Sequence, residues 1–105
     1  MKIYIAGPYS KGDVVQNVRN AIQAGETIAY LGHTPFIPHL THFWQMIFPH
    51  EYEFWLKQDN VWLRECDALL RLDGESSGSD KEVALARELG LKIYRSLFQI
   101  PKVNK

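Results

Sequence analysis

Cysteine is nearly absent from this chain: Cys66 is the only one in 105 residues. A single thiol excludes an internal disulfide framework and every Cys-based zinc motif. Charge of one sign is also missing, since 12 Lys and Arg balance 12 Asp and Glu. With a formal net charge of zero and no basic run, there is no electrostatic source for binding a nucleic acid polymer. No apolar run is long enough to span a bilayer. Lys2-Ile3-Tyr4-Ile5 leads directly into the first strand pattern, with no apolar signal region or small-residue cleavage site, so a cytoplasmic protein without membrane attachment is expected. Repeats, linkers and low-complexity tracts are lacking too. What is present is ordinary globular material, 46% hydrophobic and 23% charged, enough for one domain with a real core but not for two.

Short apolar runs alternate with helical patterns. Lys2 to Ala6 reads as a buried strand ending at Gly7-Pro8. Between Asp13 and Leu31, apolar residues recur at three- and four-residue steps, with Asp13 as N-cap and Gly32 as the stop. Thr34 to Ile37 is a second short strand. Residues 39 to 50 are aromatic and irregular and take no assignment. A helix from Glu51 to Cys66, a strand from Ala68 to Leu72, a helix from Ser79 to Leu89 and a strand from Leu91 to Tyr94 follow. This alternation implies an α/β fold, a small doubly wound parallel sheet of four to five strands with helices on both faces. Ligands of such sheets bind beyond the carboxyl ends of the strands. Two loops leave those ends, Gly7 to Gly12 and Asp73 to Ser79.

In the first loop, free N–H groups at the following helix start, with Ser10 and Lys11, offer a place for a phosphate or another polar group. The sequence is neither of the standard nucleotide-binding glycine fingerprints, and a plain tight turn explains it as well. In the second loop, Ser79-x-x-Glu82 matches a capping box, so Glu82 has a purely structural reading. Its functional reading is a carboxylate in the first turn of a helix facing the cleft, kept ionised by the helix N-terminus and suited to nucleophilic attack. Asp59 stands out more. At about 100° per residue it lies about 40° from Trp55 and Leu63, about 60° from Trp62, and about 20° from Tyr52 and Cys66. A carboxyl in the middle of the most apolar stripe of its helix is desolvated, which favours a protonated acid. A buried aspartate satisfied by a backbone N–H or by Arg64 is the structural alternative.

Ile3-Tyr4-Ile5-Ala6-Gly7-Pro8-Tyr9-Ser10 resembles the opening of the nucleoside 2-deoxyribosyltransferases and of the related 2′-deoxynucleoside 5′-phosphate N-hydrolases. Asp59-x-x-Trp62-Leu63-x-x-x-Asp67, an apolar strand, and Ser76-x-Gly78-x-x-x-Glu82 resemble the catalytic half of that family. The resemblance runs over most of residues 1–94 in element order. It implies a flavodoxin-like deoxyribosyltransferase domain over residues 1–95 with a C-terminal tail at 96–105. It further implies an enzyme cleaving or transferring at the N-glycosidic bond of a (deoxy)nucleoside or nucleotide. Glu82 then stands where the family's nucleophile attacks the anomeric carbon, and Asp59 where its acid serves the leaving base. Ser76, with Gly78, takes the place that holds the 5′ end, and Gly7, Tyr9 and Ser10 lie in the loop lining the sugar pocket. No cofactor is implied. The family also implies a site completed by a neighbouring subunit. The hydrolases carry an arginine soon after the first-loop glycine, where this chain has Ser10 and Lys11.

The chemistry is coherent, because an oxocarbenium-like transition state needs one ionised carboxylate and one proton donor. Tyr9, Phe43, Trp44 and Trp55 are candidates for stacking on the base. Two other readings stay open: a non-catalytic nucleotide- or sugar-binding module on the same fold, and a metal site from His39, His42 and His50. Phe36, Phe43, Trp44, Phe48, Tyr52, Phe54 and Trp55 give the middle of the chain more aromatic surface than one helix can turn inward. A homodimer, or a dimer of dimers, is therefore expected with this segment near the interface.

Overall fold

The computed structural model describes residues 1–103; the last two residues of the expected C-terminal tail lie outside the described residues. Four strands, β1 (Lys2–Ala6), β2 (Thr34–Phe36), β3 (Ala68–Arg71) and β4 (Lys92–Tyr94), form one parallel sheet in the order β2-β1-β3-β4. Helices α1 (Val14–Tyr30), α2 (His42–Ile47), α3 (Tyr52–Arg64) and α4 (Ser77–Glu88) connect them, with a 3₁₀ turn at Pro38–Thr41. The expected doubly wound parallel fold is present, with four strands.

β1 is apolar and buried from Ile3 to Ala6 because it is covered on both faces and paired on both edges. Its side chains alternate between two cores, as the two-residue strand period requires. Ile3 and Ile5 join Ala21, Ala24 and Ile28 of α1 and Leu70 of β3. Tyr4 and Ala6 face Leu63 of α3, Val83 and Ala86 of α4, and Leu69 of β3. Pro35 is accommodated because β2 is an edge strand. Beyond β4, Ile100 joins the α1-side core, and Val103 N–H donates to the Leu31 carbonyl at 2.8 Å.

Three readings of local structure change. Residues 38–47 are helical, as the 3₁₀ turn and α2; the apolar positions of α2 are largely solvent-facing, so the segment lacks the periodicity that identifies a helix. α3 is shorter at both ends than Glu51–Cys66. α4 begins two residues before Ser79, because Ser76 is the N-cap and its Oγ accepts the Ser79 N–H at 3.1 Å. The Ser79/Glu82 capping box is therefore not formed, and Glu82 sits in the second turn rather than the first.

The chain leaves β1 toward β2 on one side and enters β3 on the other. The carboxyl ends of β1 and β3 are adjacent, and the loops after them open a crevice between the helices of the two layers.

Candidate active site

The crevice is a cavity of about 460 Å³, within the range of small-ligand sites. Gly7, Tyr9, Ser10, Asp59, Ser76, Gly78 and Glu82, gathered from three separate stretches of chain, all line it.

The first loop is tied down by α1. The Asn17 side-chain amide donates to the carbonyls of Tyr9, at 2.9 Å, and Lys11, at 2.8 Å. The Tyr9 hydroxyl meets His42 Nδ1 at 2.6 Å, linking this loop to the start of α2. The second loop is held from below by Arg71, 7% exposed, whose guanidinium donates to the carbonyls of Leu72 and Gly74 and to Asp80 Oδ1. Gly74 has φ +113°, and a Cβ there would lie 2.7 Å from Pro8 Cγ, so the two loops meet in a contact that only glycine allows. At the start of α4, a Cβ on Gly78 would lie 3.1 Å from the Tyr52 hydroxyl. Bare backbone there lets α3 close over the first turn of α4. The N–H groups of Ser77 and Gly78 at that helix start have no partner within the helix.

Glu82 is 8% exposed and receives a hydrogen bond from the Tyr4 hydroxyl. Burial pushes its carboxyl up to about 7, and the charge of Asp59 pushes the same way; the Tyr4 hydroxyl and the charge of Arg71 pull it back. Asp59 is also pushed up to about 7, by burial. The expectation that the helix N-terminus keeps Glu82 ionised is thus replaced: its anionic form is favoured by Tyr4 and Arg71 and opposed by burial. Two interacting carboxyls in one cavity titrate as a pair. Glu82 has a donor and a nearby cation that favour its anion, whereas Asp59 is acted on by burial alone. Burial and the Glu82 charge keep the Tyr4 phenol well above its ordinary range, so it remains a donor throughout.

The apolar stripe around Asp59 is buried at one end only. Leu63 and Cys66 face the core, while Tyr52 and Trp62 are exposed. Of the four aromatics expected near a base, Tyr9 and Trp55 line the cavity, and Phe43 and Trp44 are exposed on α2.

Among the described residues, no three His, Cys, Asp or Glu side chains gather as metal ligands. His42 is engaged by Tyr9, and His50 stacks on Phe54 with ring centroids 3.7 Å apart. His39 is 5% exposed and its Nε2–H donates to the Pro8 carbonyl at 2.9 Å. Burial lowers its pKa against the opposing pull of the Pro8 and Gly7 carbonyls, keeping the ring neutral. Its Nδ1 is left as an acceptor without a partner among the described residues, in a ring that lines the cavity. Tyr4, Gln45 and Arg71 are site residues that sequence reasoning missed, and His39, read there only as a metal ligand, lines the cavity instead. Tyr4 and Arg71 sit on strands whose pattern reads as core. His39 and Gln45 belong to the segment that took no assignment.

The chain belongs to the family described as a domain of unknown function, DUF7768, whose model matches residues 1–96. No curated protein matches its sequence. Among solved structures it is similar to the 2-deoxyribosyltransferase of the psychrotolerant bacterium Bacillus psychrosaccharolyticus. The two are 22% identical, with a TM-score of 0.68, over 89% of this chain and 69% of that chain. At this identity the likeness is one of fold. Among the described residues, no helix is long and apolar enough to cross a membrane.

Proposed function

We propose that this protein is an enzyme that breaks the N-glycosidic bond of a (deoxy)nucleoside or nucleotide through a covalent glycosyl-Glu82 intermediate. The observation that carries this reading is the pair of carboxyls lining one cavity, both pushed up to about 7, of which Glu82 alone has a hydrogen-bond donor and a cation favouring its anion. A Glu82 carboxylate oxygen bonds to the anomeric carbon as the bond from that carbon to the base breaks. The Asp59 proton neutralises the departing base nitrogen. Water, or a second base, then gives a proton back to the Asp59 carboxylate as it bonds to the same carbon and the ester bond to Glu82 breaks, giving hydrolysis or transfer. Tyr4, donating to Glu82, positions the nucleophile. Gly7, Tyr9 and Ser10 surround the sugar, while Ser76 and Gly78 at the start of α4 take its 5′ end. The fold-level likeness to a 2-deoxyribosyltransferase agrees with a small nucleoside-type substrate. The exposed apolar surface of α2, with Phe43 72% exposed beside Met46, Ile47 and Phe48, supports a homodimer or dimer of dimers.

The test is a screen of deoxynucleosides and their 5′-monophosphates for free-base release, with and without an acceptor base, on the wild type, Glu82→Gln and Asp59→Asn. Release by the wild type that disappears in Glu82→Gln supports the proposal, and a new nucleoside formed with the acceptor establishes transfer. Saturable binding without release over long incubation would identify a non-catalytic binding module instead. Full activity in Glu82→Gln would remove Glu82 from the role of nucleophile.

A further inference from the structure

One wall of the cavity is built by α3 and the segment before it and differs in character from the polar loops opposite. Tyr52, Trp55 and Leu56 supply flat and apolar surface, and Gln45 is the neutral amide among them. That amide has a fixed orientation. The backbone N–H of His50, at 3.0 Å, and the indole N–H of Trp55 both meet the same end of the Gln45 side chain. Both are donors that cannot accept, so the atom facing them is the carbonyl oxygen. Gln45 therefore cannot flip without setting its own N–H groups against two other N–H groups. The edge left over is the N–H₂, which has no hydrogen-bond partner among the described residues. Gln45 thus lines the cavity beside an aromatic wall, and its free group is a donor whose orientation is set by two independent contacts.

We infer that Gln45 selects the base: its N–H₂ group donates to an exocyclic ring carbonyl, so the cavity takes oxo bases such as hypoxanthine and uracil in preference to their amino counterparts adenine and cytosine. This rests on the reading of the cavity as a nucleoside site. An exocyclic amino group in the same place sets donor against donor and leaves both unsatisfied in a partly buried site. A site built to hydrogen-bond one group discriminates far more strongly against its opposite than an apolar pocket does. The paired bases have nearly the same size and stacking surface, so the preference isolates this one contact.

The inference is tested by calorimetric titration of the full-length protein with the free bases hypoxanthine, adenine, uracil and cytosine, which needs no turnover. Hypoxanthine is expected to bind at least about tenfold more tightly than adenine, and uracil than cytosine. In Gln45→Glu, one carboxylate oxygen keeps the His50 and Trp55 contacts and the other becomes an acceptor, so the preference should reverse. In Gln45→Met, which serves if the glutamate variant does not fold, it should disappear. Equal binding of the oxo and amino bases by the wild type, no binding of any base, or an unaltered preference in a folded Gln45 variant would overturn the inference. Base binding with the expected preference but no release from any nucleoside would overturn the proposed catalysis and leave this assignment of Gln45 standing.

Discussion

Replacing Glu82 by Gln should make the protein more stable in alkaline solution while removing its nucleophile. The carboxyl is displaced from 4.5 to about 7, roughly 2.5 units at 1.36 kcal/mol each, or about 3 kcal/mol. Because the folded value lies above the unfolded one, the folded state binds the proton more tightly. The associated stability is complete below pH 4.5, declines as pH rises toward 7, and is gone above it. Glutamine resembles the protonated form: it is neutral and still accepts from the Tyr4 hydroxyl. Coupling to Asp59 and local relaxation reduce the gain, leaving about 1–3 kcal/mol above pH 8 and almost nothing near pH 4. For a domain of this size that is a rise in Tm of roughly 5–15 °C. Thermal melts of both proteins at pH 8.5 and pH 4.5, at one fixed concentration, measure the difference directly. Equal melting temperatures at pH 8.5 would refute the claim that a buried charge is held at Glu82. An equal gain at both pH values would trace the effect to packing instead.

Base release should follow a bell-shaped pH profile centred near 7, since it needs Glu82 ionised and Asp59 protonated. Asp59→Asn should abolish the alkaline limb and slow release by at least about 100-fold. Tyr4→Phe removes the donor to Glu82 and should move the acid limb to higher pH, costing about tenfold in rate at pH 6 for each unit of displacement; an unmoved limb would deny Tyr4 its positioning role. Gly74→Ala, with φ +113° and Pro8 in the way, should cost about 1–3 kcal/mol in denaturant melts. Light scattering should give at least twice the 12.2 kDa of one chain, and a monomer mass at micromolar concentration would refute the dimer.

Much of the architecture is local in origin and therefore legible in the sequence. β1 is recognisable because a strand buried on both faces must be apolar at nearly every position, and Ile3 to Ala6 has no other use in a small domain. α1 is recognisable because it buries one stripe, Ala21, Ala24 and Ile28, at helical spacing between Asp13 and Gly32. Strand–helix alternation then leaves few topologies, and the crevice at the strand ends follows from any of them. Asp59 stood out for a similar reason, since a carboxyl in an apolar stripe is anomalous whatever surrounds it. The start of α4 was misplaced because Ser76, Ser77 and Ser79 are all acceptable N-caps by residue type. The choice falls to Ser76 through the Arg71 contacts that hold the preceding loop. The titration of Glu82 depends on Tyr4, 78 positions away, and on Arg71. The orientation of Gln45 depends on His50 and Trp55, and the unpaired nitrogen of His39 on Pro8. Residue type and spacing determine which segments are buried. The electrostatics of a site depend on distances between side chains far apart in the chain, and those exist only once the sheet has brought the segments together.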